Sequence, residues 1–345
     1  MRLVLDAMGG DHAPHEIVAG AVAYARQSGH TVVLVGREDL VRAELARHDT
    51  SGLDLPVVHA PETIQMDEKP AMAARRKKDN SMAVGMRLVR QGEADAFCTM
   101  GHTGGALTAG HMVFRRIPGV HRAVLTTPFP CATGFFILGD IGANPDCRPE
   151  WLAQWGQMLS IYARVRLQVA EPRVALLSNG EEEGKGTELT RAAEPLLKEA
   201  LGGRYIGVVE PKEMIAGAAD VVVTDGFTGN VVIKLAEAVA SFFLQTMREE
   251  IMARPLAKIG AALARPAFRA TAARLDDREY GAALLLGLNG LVTVGHGRSK
   301  QDRVVAALRN TAHLVAGRML DRLHDEITRT VRLSHAGGGD HEHEL

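Results

Sequence analysis

"ADAFCTMGHTGGALTAG", residues 94–110, decides the fold. Ala96 to Met100 form a short apolar run of strand character, a helical pattern starts at Thr103, and between them stand Gly101 and His102, with Gly104 and Gly105 just beyond. A strand that passes through glycines straight into a helix is half of a β/α unit. The same alternation extends in both directions. Aliphatic runs at 2–5, 31–35, 134–139, 173–178, 205–209, 219–224 and 291–295 are separated by amphipathic stretches at 14–27, 80–91, 103–115, 149–164, 187–201, 229–252 and 301–332. This predicts a three-layer α/β/α sandwich around a mostly parallel sheet. The runs 122–127 and 134–139 lie too close for a crossover, so they are predicted to pair antiparallel at one side.

Composition narrows the function. A chain of 345 residues that is 46% hydrophobic can bury a large core, and 1–333 reads as one α/β/α domain. The last twelve residues, "SHAGGGDHEHEL" at 334–345, read as a flexible tail. A net charge of −1 and 4% aromatic residues speak against nucleic-acid binding. Cys98, Cys131 and Cys147 form no Cys-x-x-Cys pair and read as reduced thiols of a cytoplasmic protein. The chain enters "RLVLD" without a leader, and no 18-residue stretch reads as uniformly apolar, so neither export nor a membrane span is expected.

In open α/β sheets, ligands bind beyond the carboxyl ends of the strands. Five loops there pair glycine with acids or amides: "DAMGGDHAP" with Asp6, Gly9 and Gly10; "GHTGG" with Gly101, His102, Thr103 and Gly104; "DIGANPD" with Asn144; "NGEEEGKG" with Asn179 and Lys185; and "DGFTGN" with Asp225, Gly229 and Asn230. All five are expected at the same edge. His296 of "GHGRSK" reads either as a packed loop histidine or as a further donor. Glycines bring backbone N–H groups close to a ligand and helix starts favour anions, so phosphate is the expected ligand. The known nucleotide signatures fail. "GEEEGKG" is too short between its glycines for a P-loop, "GHGRSK" and "GKGTEL" lack the third glycine of a dinucleotide fingerprint, and no Gly-x-Ser-x-Gly elbow occurs. "HEHEL" at 341–345 lacks the second histidine of His-Glu-x-x-His; no metal and no cofactor are expected.

"LDAMGGDHAP", "RRKKDNSM", "GEADAFCTMGHTGGALTAG", "GDIGANPDCRPE", "NGEEEGKGTEL", "ADVVVTDGFTGN" and "YGAALLLGLNG", in this order from about residue 2 to 310, resemble the PlsX family of bacterial phosphate acyltransferases. The resemblance implies a fold similar to isocitrate and isopropylmalate dehydrogenases and to phosphotransacetylases. It implies acyl transfer from acyl-acyl carrier protein to inorganic phosphate, giving acyl phosphate for a glycerol-3-phosphate acyltransferase downstream. It also implies a homodimer in peripheral contact with the membrane. His102 stands where the family usually has Asn, and the tail is the chain's own.

The chemistry needs little from the protein. Phosphate is already a nucleophile, and a thiolate of pKa ~8.5 leaves without a strong acid. What remains is to hold two reactants together and to stabilise the carbonyl oxygen. Lys185 and Asn230 are the expected catalytic pair, a reading the resemblance supports; the alternative for Lys185 is a solvated lysine facing Glu181 to Glu183. His102 is expected to tune phosphate binding, adding a positive charge in mild acid. An acyl-cysteine at Cys98 is disfavoured by its apolar strand. "ARRKKD" at 74–79 is either a solvated helix entry or a steering patch for acidic acyl carrier protein. The stretch 251–275, broken at Pro255 and Pro266, reads equally as an element lying on an anionic membrane or as a dimer contact. The alternative function is that of a phosphotransacetylase for short acyl-coenzyme A.

Overall fold

The computed structural model describes residues 1–180, 182, 184–275 and 281–337. In chain order the elements are β1 (Arg2–Asp6), α1 (His15–Ser28), β2 (Thr31–Gly36), α2 (Glu38–Leu45), β3 (Val57–His59), α3 (Pro70–Arg76), α4 (Ser81–Arg90), β4 (Ala96–Thr99) and α5 (Thr103–Val113). Next come β5 (Val124–Cys131), β6 (Gly134–Gly139), α6 (Pro149–Arg166), β7 (Val174–Leu177), α7 (Glu188–Leu201), β8 (Tyr205–Val209), α8 (Pro211–Ala216) and β9 (Val221–Val223). The chain continues through α9 (Gly226–Ala253), α10 (Pro255–Leu263), α11 (Arg265–Leu275), β10 (Ala283–Leu286), β11 (Val292–Val294), α12 (Gln301–Ala316) and α13 (Met319–Gly337). The strands form one 11-stranded sheet in the order β3-β2-β1-β4-β11-β10-β5-β6-β9-β7-β8.

Strands such as Leu3-Val4-Leu5 and Val221-Val222-Val223 are buried on both faces, which is why they read as continuous apolar runs. Leu3, Leu5, Val221 and Val223 pack with Ile17 of α1, Trp155 of α6, Leu197 of α7 and Val304 of α12. Val4 faces the other way, onto Met82 and Met86 of α4 and Ala106 of α5. Val222 does the same toward Met214 of α8 and Ile233 of α9. The sandwich is therefore as expected, and β5 and β6 do pair antiparallel, but in the interior of the sheet and not at one side.

The strand directions correct one expectation. β2, β3, β4 and β11 run parallel to β1, but β11, β10, β5 and β6 are joined by three antiparallel pairings. An odd number of reversals inverts the other half, so β6, β9, β7 and β8 point opposite to β1. The loops after β1, β4 and β11 thus open at one edge, and those after β6, β7 and β9 at the opposite edge. Helix α9 reunites them. Its start abuts the loop after β6, with Gly226 N–H donating to Asn144 O (2.9 Å). Its Glu237 reaches the loop after β11, 3.3 Å from Arg298 Nη2. With 28 residues it is about 42 Å long and crosses one sheet face.

Other boundaries moved for local reasons. The expected helix over 301–332 breaks after Ala316, where Arg318 takes a φ of 52°. The breaks expected at Pro255 and Pro266 are found: α9 ends at Ala253 and α10 at Leu263, and each proline sits in the first turn of the next helix, where a missing N–H costs nothing. Helix α9 also amends the hydropathy reading: by length and composition, and by nothing else, it could cross a membrane, with a mean hydropathy of 1.4 over its best window. The tail expected at 334–345 begins within α13, and 338–345, with "HEHEL", lies outside the described residues.

Candidate active site

At the first edge, Asp6 is fully buried and accepts from Thr99 Oγ1 (2.8 Å) and Met8 N (3.1 Å). Burial pushes its carboxyl up, while bonds from Ser81, Thr99, Met8 and Gly9 pull it back. Thr99 Oγ1 in turn accepts from Gly101 N (2.9 Å). A Cβ on Gly9 would lie 2.6 Å from Asp6 Oδ2 and 2.8 Å from Gly101 N, so only glycine lets the two loops meet. Asp11 N then donates to Gly297 O (2.8 Å), locking in the loop after β11. Asp6 is thus buried beneath these loops, with its carboxylate engaged by them.

His102 is the N-cap of α5: its Nδ1 accepts from Gly104 N (3.1 Å). Asparagine caps helices in the same way, which accounts for the exchange. Through this bond the ring serves as a hydrogen-bond acceptor at the helix start. Since the N–H groups of Gly101 and Gly104 are already engaged, anion binding at this helix start falls to the remaining first-turn amides around Thr103.

At the opposite edge, Asp140 accepts from Leu125 N, Ala143 N (3.0 Å), Asn144 N (2.7 Å) and Asn144 Nδ2 (2.7 Å). Burial raises its carboxyl and these donors oppose the rise. Asn144 is buried, its amide bonded to Asp140, Ala123 O and Arg122 Nε. Asp225 caps α9 through Thr228 N (2.8 Å) and Thr228 Oγ1 (2.7 Å). A Cβ on Gly229 would lie 1.9 Å from Asp140 O. This close approach fixes the exposed Asn230 beside Gly142.

Thr103, Asn230 and His296, from loops at opposite edges, line one cavity of about 1000 Å³ beneath α9. Ser299 and Arg303 line it as well, and sequence reasoning missed both; Ser299 lies in "GHGRSK", read only for His296 and for a dinucleotide fingerprint, and Arg303 lies beyond that motif in the first turn of α12. His296 Nε2 lies 3.5 Å from Glu237 Oε1, so it is tied to α9. Lys185 is not on this wall. Its loop follows β7, next to β9 and at Asn230's edge, but it lines a second cavity of about 380 Å³ with Ser178, Glu182, Thr190, Arg191 and Glu194. Asn179 Oδ1 accepts from Gly186 N (2.9 Å) and shapes that loop rather than facing the main cavity. Lys185 N–H bonds Glu182 O (3.0 Å), while Glu181 and Glu183 lie outside the described residues. Cys98 is buried and its thiol is pushed up to about 11, which leaves it protonated and inert.

Two loop systems held by buried aspartates, each ending in a helix start, meet at one cavity of an α/β fold. Solved structures share that fold. A phosphotransacetylase from Streptococcus pyogenes matches with a TM-score of 0.62 at 17% identity, covering 92% of this chain and 94% of that one. A 4-hydroxythreonine-4-phosphate dehydrogenase from Klebsiella pneumoniae matches with a TM-score of 0.55 at 16% identity, covering 91% and 99%. The sequence is more specific. The family described as "Fatty acid synthesis protein" matches residues 1–322. A phosphate acyltransferase of Herpetosiphon aurantiacus is 44% identical (93% of this chain, 96% of the relative), and one of Thermus thermophilus is 46% identical (95% and 99%). The chain belongs to the phosphate acyltransferase family and is an acyltransferase that works with phosphate.

Proposed function

We propose that the chain transfers a fatty acyl group from acyl-acyl carrier protein to inorganic phosphate. The observation that carries this is the single cavity shared by Thr103, Asn230 and His296, whose lining joins these polar groups to apolar side chains of β5, β6 and α9. Phosphate rests at the start of α5, where amides and the helix dipole favour an anion. A phosphate oxygen attacks the thioester carbonyl, a C–O bond forms, and the C–S electron pair leaves with the carrier's thiolate. The Asn230 amide donates to the carbonyl oxygen as negative charge grows there, a contribution of ~3 kcal/mol to the barrier. Lys185 as a second charge-stabilising group rests on the resemblance alone. The acyl phosphate is the substrate of a glycerol-3-phosphate acyltransferase in phospholipid synthesis.

The partners follow from surfaces. Of the four bases at 75–78, Arg76 and Lys77 hold Glu68 at 3.0 and 2.5 Å, which leaves Arg75 and Lys78 to attract the acidic carrier. Phe227, Val231, Leu235 and Phe242 form an exposed stripe on α9 that supports a homodimer, while Leu256, Ile259 and Leu263 of α10 support peripheral contact with an anionic membrane from the cytoplasm. The structural likeness to phosphotransacetylases keeps short acyl-coenzyme A as the second reading. Purified protein with phosphate and either hexadecanoyl-acyl carrier protein or acetyl-coenzyme A, trapped with hydroxylamine, separates them. Hexadecanoyl hydroxamate is expected; acetyl hydroxamate alone supports the second reading.

A further inference from the structure

We propose that the cavity between α9 and the β5–β6 hairpin is the subsite for the donor's hydrocarbon chain, and that Phe135, Ile215 and Phe243 at its far end grade chain length. The proposal rests on the acyl-transfer reading for the identity of the ligand. Its geometry comes from the strand register. Asn230 sits against the loop after β6, where Ile141 N bonds Leu125 O at the start of β5. Pro130, paired with Phe135, lies five residues further along β5, about 17 Å away. Along α9, Phe243 is thirteen residues beyond Asn230, about 20 Å. Sideways, β11 and β6 are three strand spacings apart, so His296 and Phe135 are about 14 Å apart. Chains in one leaflet of a bilayer reach ~15 Å, half its hydrocarbon thickness, so the cavity has the length of one long acyl chain.

Its lining is partly polar and partly apolar. Asn230 supplies a polar group at one sheet edge and Thr103 and His296 at the other, with Lys234 and Glu237 of α9 between them, whereas Phe129, Phe135, Ile233, Ala236 and Ala240 make the apolar part of the lining. Ile215 is held at the hairpin tip because its carbonyl accepts from Ala132 N (2.9 Å). Ile215 and Phe243 are 46% and 63% exposed, so the far end grades chains by contact and has no hard stop. The groove face of α9 is distinct from the Phe227–Leu235 stripe on its opposite side, so a chain in the groove and a protein on the stripe do not compete.

The test has two arms. The first measures kcat/KM for octanoyl and hexadecanoyl thioesters with phosphate in the parent, Ala240→Trp and Phe135→Ala. Each methylene in contact is worth about fourfold, so blocking two of them should lower the hexadecanoyl-to-octanoyl ratio of Ala240→Trp about fifteenfold. Phe135→Ala should lower the same ratio by a smaller factor. Equal losses at both lengths, or an unchanged ratio in both variants, overturn the proposal. The second arm needs no turnover: hexadecanoic acid with an ω-diazirine is photolysed on the parent protein and the labelled peptides are mapped. Label on 128–135 and 233–243 is expected, and label confined to 255–271 overturns the subsite. If the parent cleaves no thioester while the groove is labelled, the acyl-transfer reading fails and the chain-binding site stands.

Discussion

Gly229→Ala places one methyl group where the structure has no room for it. The added Cβ would stand 1.9 Å from Asp140 O, against an ordinary contact of at least 3.4 Å, so α9 or the loop after β6 must retreat by about 1.5 Å. Overpacking of this kind costs about 1–3 kcal/mol, and the helical preference of Ala over Gly returns up to about 1 kcal/mol. The thermal midpoint should therefore fall by no more than a few degrees. Turnover should suffer far more, because Asn230 follows immediately and a 1 Å misplacement of a reacting group can cost about a hundredfold. The control is Gly260→Ala in α10, where nothing lies within 4 Å; it should raise the midpoint slightly and leave turnover alone. The assay is thioester cleavage with saturating phosphate, read beside a thermal melt. Near-normal turnover in Gly229→Ala would refute the claim that close packing of α9 on Asp140 positions Asn230.

Lys185→Met should lower kcat by at least about a hundredfold if its ammonium stabilises the transition state; near-normal kcat assigns it to the second cavity alone. His102→Asn should keep the cap and remain active, with phosphate KM in constant ratio to the parent between pH 5.5 and 8, whereas His102→Ala should lose about 1 kcal/mol of stability with the cap. A ratio that changes with pH would restore the charged-histidine reading. Cys98→Ala should retain turnover within about twofold, since a thiol pushed up to about 11 is no nucleophile at neutral pH; an inactive but folded variant would reinstate a covalent acyl-enzyme. Leu256→Glu with Ile259→Glu should abolish flotation with anionic vesicles while acyl phosphate synthesis in solution persists; dissociation into monomers instead would make α10 a dimer contact.

The β/α layering was legible because Leu3 to Leu5 and Val221 to Val223 are buried on both faces and leave unbroken apolar runs. β3 and β10 were not. β3 has three residues and none of them is buried, and β10 hides in "ALLLGLNG", where a run of leucines has no period to read. "DGFTGN", read as a loop, is a helix start, with Asp225 as the cap and Gly226–Asn230 already helical; the placement of the glycine-polar segments at opposite edges depends on long-range antiparallel pairing of β10 with β5 and β11, which no local pattern encodes. Asp6 and Asn144 are buried and bonded to neighbouring backbone and side chains, an arrangement that polarity in a sequence does not distinguish from a group facing a ligand. Asp225 with Thr228 did announce the start of α9, through ordinary capping chemistry.

The central claim is that phosphate itself is the nucleophile, and incorporation of label tests it most directly. With radiolabelled phosphate and hexadecanoyl-acyl carrier protein, each thiol released should be matched by one phosphate carried into an organic-soluble, hydroxylamine-labile product, and Asn230→Ala should depress both together. Thiol release that continues without phosphate, with free fatty acid and no label in the organic phase, would show a hydrolase and contradict the account.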